Sequence, residues 1–277
     1  DHAKVELISE YDAVVPGQSF DLAVRFDLEE LWHIYWENPG ASGLSTTIDW
    51  VLPENIVAGE IQWPAPERIQ LGGLVNYGYE EEAVFIVTLQ APEDLKLGSE
   101  LTITADLFWL ICQEICLPGE ATLELVLPVA GNAEPSAEAT AFVEARNRQA
   151  RTAHPWATTT YLEKEALVVV IEGEALPSDL YLYVDTEGFV DPSAEQVRST
   201  PAPNRAELRL ALDRLFFENQ PLAISGVLQS GADSWEFNAE ILDSPPSFVR
   251  ALTDPEPSGF EQRLLVLGLP GILALAF

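Results

Sequence analysis

The feature that most constrains this chain is a period-two alternation of apolar and polar residues, repeated in short runs. Residues 5–8, 20–26, 83–89, 101–111 and 121–127 follow it or nearly follow it. Successive side chains of a strand point to opposite faces, so this pattern fits sheets with one buried face. Turn residues punctuate the runs at Pro16-Gly17, Asn38-Pro39-Gly40, Leu97-Gly98 and Pro118-Gly119. Many short strands with such turns and no helical pattern between them predict an antiparallel β-sandwich. Trp32, Trp36, Trp50, Trp63 and Trp109 all fall in this stretch and are expected to pack its core.

The chain is 277 residues long, which favours two domains. The pattern changes after Pro128. Glu134-Pro135-Ser136-Ala137-Glu138 opens an Ala/Glu/Arg-rich stretch to Arg151. Ser136 is a candidate N-cap, and Ala137, Ala141, Phe142 and Ala145 recur at helical spacing. Arg146, Arg148 and Arg151 suit a helix C-terminus, so a helix of about four turns is expected. A second β-region follows, with strands at 166–172, 180–184, 206–212, 222–228 and 235–242. It holds no cysteine, and no repeat relates it to the first. Ser244-Pro245-Pro246 and the segment 254–259 read as linker. From Leu264 to Phe277 the chain is uncharged and apolar, and is expected to be the start of a first transmembrane helix.

Charge narrows the function. Asp and Glu number 45 against 14 Lys and Arg, a formal charge of −31. Nucleic-acid binding and adhesion to anionic membranes both need basic patches, so both are disfavoured. No methionine is present, so Asp1 is expected to be a processed or trimmed start, which suits an exported chain. No GxSxG elbow, HExxH or phosphate-binding glycine loop occurs.

The chemical candidate is the cysteine pair Cys112 and Cys116, in Trp109-Leu110-Ile111-Cys112-Gln113-Glu114-Ile115-Cys116-Leu117-Pro118. Strand-like runs flank it, so three intervening residues can form a hairpin tip. Opposed residues of an antiparallel pair lie about 4.5–5.5 Å apart at Cα, within reach of a disulfide. Chain entropy assigns a five-residue ring only about 2 kcal/mol, little for a structural staple. An exposed tip suits exchange, because an attacking thiolate needs access to one sulfur. A structural bridge and a redox pair both remain open on these residues. Zinc is a poor fit, since two cysteines lack further ligands and His33 is the one candidate nearby.

Four ordered motifs add to this. Trp32-His33-Ile34-Tyr35-Trp36-Glu37-Asn38-Pro39-Gly40-Ala41-Ser42-Gly43, Gln62-Trp63-Pro64-Ala65-Pro66, Asn76-Tyr77-Gly78-Tyr79-Glu80 and the cysteine run resemble the DsbD/ScsB family of thiol–disulfide interchange proteins. The resemblance is specific over residues 20–128. It implies an immunoglobulin-like first domain with one reversible cysteine pair. That pair would take electrons from a thioredoxin-like domain, itself reduced by a transmembrane domain of the same full-length protein. It would pass them to periplasmic thioredoxin-fold proteins such as ScsC-like isomerases, with a link to copper tolerance. The localisation implied is periplasmic, tethered to the inner membrane.

The resemblance also implies roles for other residues. Tyr77-Gly78-Tyr79 would be a lid over the cysteines, with Gly78 as its flexible point; an ordinary aromatic turn is the other reading. His33 and Tyr35 share a strand face and would tune the thiols, or simply pack. Cys116 would be the cysteine that attacks partners. Glu80, Glu81 and Glu82 form a solvated face or, near the cysteines, raise their pKa. Asn38-Pro39-Gly40 and Pro64-Ala65-Pro66 read as turn chemistry.

The expected architecture is therefore all-β, with two immunoglobulin-like β-sandwiches joined by a short helical linker. The boundaries are 1–130, 131–154, 155–243 and 244–277. The expected function is protein-disulfide reduction through Cys112–Cys116, with no cofactor and no metal. The alternatives are an interaction module with a structural disulfide, and a copper-handling protein using Cys112, Cys116 and His33, since thiolates suit Cu(I).

Overall fold

The structure is a computed structural model and describes residues 2–213, 221–242 and 244–245. The first sandwich contains β1 (Ala3–Ser9), β2 (Ser19–Leu28), β3 (His33–Gly40), β4 (Thr47–Val51) and β5 (Val57–Gln62). It continues with β6 (Glu67–Leu71), β7 (Leu74–Glu80), β8 (Glu82–Gln90), β9 (Glu100–Cys112) and β10 (Cys116–Pro128). One sheet has the order β1-β2-β8-β5. The other runs β10-β9-β3-β7-β6, with β4 pairing β9.

The two inner faces interlock. Val24, Phe26 and Phe85 from the first sheet meet Ile34, Trp36, Tyr77, Tyr79, Trp109 and Ile111 from the second. A second apolar cluster, including Phe20, Leu22, Val87, Leu89, Leu101 and Ile103, fills the far end. Along β9 the inward set is Leu101, Ile103, Ala105, Leu107, Trp109 and Ile111. A one-residue slip would turn that whole set outward, so the β9–β10 register is tightly specified.

Helix α1 (Ala139–Arg148) lies on the outer face of the four-stranded sheet. Phe142 and Ala145 bury themselves against Ile8, Ala23, Val84 and Ile86. Double-sided burial explains why β8 is a near-continuous apolar run and departs from the alternation expected of residues 83–89. Arg146 ties the helix end to Glu10 and Asp21, both at 2.6 Å. The helix is shorter than the four turns expected. It begins at Ala139 with Glu138 at the N-cap, and the Ser136 hydroxyl accepts from the Glu138 N–H in the preceding turn instead of capping. Arg146 and Arg148 occupy the last turn as expected, whereas Arg151 lies beyond it.

The second sandwich comprises β11 (Ala157–Glu163), β12 (Ala166–Glu172), β13 (Tyr181–Val184) and β14 (Val197–Ala202), then β15 (Arg205–Ala211), β16 (Ala223–Ser230) and β17 (Asp233–Leu242). Strand β17 links its two sheets. Residues 233–240 pair with β16, and Ile241 and Leu242 run parallel beside β11. Its core includes Trp156, Leu167, Val169, Ile171, Leu182, Leu208, Trp235 and Phe237.

The two sandwiches meet through aromatic rings. Tyr183 packs edge-on to Trp36 and Tyr77, and the Tyr77 and Tyr181 hydroxyls lie 3.1 Å apart. The Asn38 side-chain amide donates to the Val184 carbonyl at 2.7 Å. Among the described residues no helix is long and apolar enough to cross a membrane. The apolar run from Leu264, expected to begin a transmembrane helix, lies outside the described residues, as does most of the 244–277 linker.

Candidate redox site

The long β9–β10 hairpin brings Cys112 directly opposite Cys116. Three residues turn the chain, with the Gln113 N–H donating to the Ile115 carbonyl at 3.2 Å. The cysteines form a disulfide, with Cα atoms 4.1 Å apart. Their environments differ. Cys112 is 0% exposed, whereas Cys116 is exposed together with Glu114 and Ile115. The bridge therefore offers one residue to solvent and hides the other.

The start of β3 lies beside the bridge. His33 pairs with Cys112 on one side and with Glu80 on the other. Directly opposed residues share a sheet face, so His33, Tyr35, Glu80, Cys112 and Cys116 all project from the outer face. Tyr35 is fully buried and its hydroxyl lies 3.5 Å from the Cys116 sulfur. A disulfide sulfur carries no proton, so the phenol donates. The His33 ring packs edge-on to Tyr35 at 5.3 Å.

Burial tunes both groups. It pushes the Tyr35 phenol up from its ordinary pKa, with a partial opposing contribution from a Ser42 hydrogen bond. The phenol is thus a proton-bearing donor at neutral pH. Burial pushes His33 down, favouring neutral imidazole. Its Nε2 has no hydrogen-bond partner. Gly43 backs directly onto the Tyr35 ring. A Cβ there would fall 2.3 Å from ring carbons, and the backbone has φ +108°, so glycine is required twice over.

The expected tyrosine lid requires correction. Tyr77 and Tyr79 sit within β7, not in a loop, and are 0% and 5% exposed. Tyr79 is paired with Ile34 and therefore faces the inner side of the sheet, opposite the face that carries the cysteines. Its hydroxyl donates to the Pro64 carbonyl at 2.8 Å. Tyr77 shares that inner face and serves the contact with the second sandwich. Gly78 pairs with Tyr35, and a Cβ there would lie 2.0 Å from the Ile34 carbonyl oxygen. Close approach of two strands, not flexibility, demands this glycine.

Glu80 and Glu81 are exposed; burial pushes the Glu67 carboxyl up, and these two neighbouring carboxylates add to that rise. Asn38-Pro39-Gly40 ends β3 instead of forming a free turn, and Asn38 is buried in the contact between sandwiches. Sequence reasoning missed that role. It also missed Gly43 and the pair Tyr181 and Tyr183, whose partners are distant in sequence. Among the described residues no group of three or more His, Cys, Asp or Glu is arranged to hold a metal ion.

Residues 4–128 match the family described as "Thiol:disulfide interchange protein DsbD, N-terminal". No curated protein matches the chain. Among solved structures, the N-terminal periplasmic domain of ScsB from Proteus mirabilis aligns with a TM-score of 0.68 at 18% identity, covering 88% of this chain and 95% of that one. At this identity the likeness is one of fold, and its coverage takes in both sandwiches. The sporulation control protein Spo0M from Bacillus subtilis gives a TM-score of 0.23 at 13% identity, over 62% of this chain and 79% of that one, too low to carry an argument.

Proposed function

Since residues 4–128 match the family of DsbD amino-terminal domains, we propose that the first sandwich is the periplasmic electron-relay module of a protein-disulfide reductase. Reducing equivalents would arrive from a thioredoxin-like domain of the full-length protein, reduced in turn by its transmembrane domain. They would leave to periplasmic thioredoxin-fold proteins, ScsC-like ones among them. The observation that carries this reading is the hairpin bridge with Cys112 buried and Cys116 exposed.

The chemistry follows from that asymmetry. In the reduced pair, the Cys116 thiolate attacks a partner disulfide. A mixed disulfide forms, and the departing partner thiolate takes up a proton. The Cys112 thiolate then attacks the Cys116 sulfur, restoring the intramolecular bridge and releasing the second partner thiol. Two electrons pass in total. The pair is recharged when a reducing partner's thiolate attacks the sulfur of Cys116, the exposed residue of the pair, and Cys112 leaves. Reduced full-length chain mixed with an oxidised thioredoxin-fold protein should therefore pass it one electron pair, read by alkylation and mass spectrometry. Failure to exchange with any thioredoxin-fold partner would refute the relay.

Tyr35 stabilises the Cys116 thiolate by donating a hydrogen bond. Such a bond to a charged group contributes about 1.5 kcal/mol or more, or about one pKa unit. Tyr35→Phe should then raise the Cys116 pKa by about one unit. Near neutral pH the thiolate fraction falls about tenfold, while the more basic thiolate is about threefold more nucleophilic, so attack slows about threefold. Above the raised pKa the variant should be the faster one. An unmoved pH–rate profile would reduce Tyr35 to a packing residue.

His33 holds the other flank of Tyr35 as a neutral ring. The second sandwich, with no cysteine among its residues, would position the first or a partner. The copper-handling alternative would need the pair reduced, since the Cys112–Cys116 disulfide offers no thiolate to Cu(I).

A further inference from the structure

Three turns leave the first sandwich at the same end as the bridge. The β2–β3 turn is residues 29–32, the β7–β8 turn is Glu81, and the β9–β10 tip is residues 113–115. Their proximity is fixed by pairing. His33 sits between Cys112 and Glu80, and the Leu28 N–H donates to the Glu81 carbonyl at 2.7 Å. Two large apolar side chains stand out into solvent here, Leu31 at 66% and Ile115 at 64% exposure.

Acidic groups surround them. Glu29, Glu30, Glu80, Glu81 and Glu114 are all exposed. Among the described residues the basic side chains at this end are few and engaged. His2 bonds Glu29 at 2.6 Å, Lys4 bonds Glu6 at 2.9 Å, and Arg148 lies 3.7 Å from the Glu82 carboxylate. The exposed cysteine therefore opens onto two apolar anchors within a negative field.

We propose that this end is a charge-selective docking face. It admits partners whose reactive disulfide is flanked by apolar residues and rimmed by Lys or Arg, and it repels anionic low-mass disulfides such as oxidised glutathione. The proposal rests on the relay reading and specifies its partner class. The physical basis is field focusing. Fixed like charges within about 10 Å, a Debye length at 0.1 M salt, raise the local concentration of cations and lower that of anions. Apolar surface at the centre of such a patch supplies the attraction that holds a docked partner, and a charged rim supplies selection. Exchange itself is unchanged: Cys116 sulfur bonds to a probe sulfur, one probe thiolate leaves and is protonated, and Cys112 displaces the second. Both electrons come from the reduced pair.

The test uses the reduced full chain with three probes: cationic cystamine, neutral hydroxyethyl disulfide and anionic oxidised glutathione. Each rate is divided by the rate of the same probe with dithiothreitol, which removes differences in leaving group. At low ionic strength the normalised cystamine rate should exceed that of oxidised glutathione by about tenfold or more. Near 0.5 M salt the ratio should fall to about twofold or less, because the field is screened. A triple Glu80→Gln, Glu81→Gln, Glu114→Gln variant should lose most of the low-salt ratio. For the anchors, a lysine-flanked cystine peptide with leucines beside its cysteine should react about fivefold faster than its serine counterpart, and Ile115→Ser should erase that preference.

A ratio near one, or one indifferent to salt, overturns the proposal without any variant. A ratio that survives in a folded triple variant also overturns it, since the field would then arise from the whole acidic chain. Equal rates for the leucine and serine peptides overturn the anchor role. If even the neutral probe fails to react, the relay reading itself is wrong, and this outcome is distinct from the others.

Discussion

Cys112→Ser should turn a transient exchange into a covalent trap. The variant retains the exposed Cys116, which attacks a partner disulfide, but lacks the thiol that resolves the mixed species. The complex should accumulate as a single disulfide between Cys116 and the partner, visible on a non-reducing gel. Cys116→Ser should behave in the opposite way. Its remaining thiol, Cys112, is 0% exposed, and attack should fall on the order of 100-fold because exchange needs access to sulfur. Both variants lose the same five-residue ring, worth about 2 kcal/mol by chain entropy, so a difference in fold does not explain the contrast. Equal trapping by both variants would show that the buried and exposed environments do not set the order of attack.

The second large effect is expected at Gly78. Read as a hinge, it would accept alanine with little consequence. Read from the β3–β7 pairing, alanine drives a methyl group to within 2.0 Å of the Ile34 carbonyl oxygen. Backbone, not a flexible side chain, is the obstacle, so β3 and β7 must separate. Overpacking of this kind costs about 3 kcal/mol, a large share of a domain stability of about 5–15 kcal/mol. Since β3 also carries His33 and Tyr35, Gly78→Ala should loosen the support of the bridge as well. Urea unfolding and the rate of disulfide reduction should change together. A variant of wild-type stability would contradict the close approach.

The cysteine hairpin was legible in the sequence because its signal is local. Thirteen residues of β9 alternate with near-perfect period two, and the pair spacing follows from the register they impose. Strand β12 was likewise readable from end to end, since residues 166–172 form a compact apolar run. Strand β3 behaves differently. His33, Ile34, Tyr35 and Trp36 are all buried, so no polar face reveals the strand period. Strand β7 was hidden by its own glycine, which resembles turn chemistry until Ile34 is known to lie against it. The contact of Tyr77 with Tyr181 joins positions 104 residues apart, beyond the reach of any spacing argument. The helix was found by its period, but its start was misplaced. Ser136 has the chemistry of a cap, yet its hydroxyl also donates to the Ser9 carbonyl at 2.5 Å and anchors the preceding turn.

The central claim is that Cys112–Cys116 is a reversible redox pair within an intact fold. A titration of the full chain against dithiothreitol or glutathione buffers tests it most directly, with alkylation and mass spectrometry reading the thiols and circular dichroism reading the fold. The account predicts a two-electron transition at a potential above about −300 mV, the level below which structural bridges typically lie. The sandwich signal should be retained on both sides of that transition. A bridge that opens only as the protein unfolds, or a pair that stays unbonded in oxidising buffer, would contradict it.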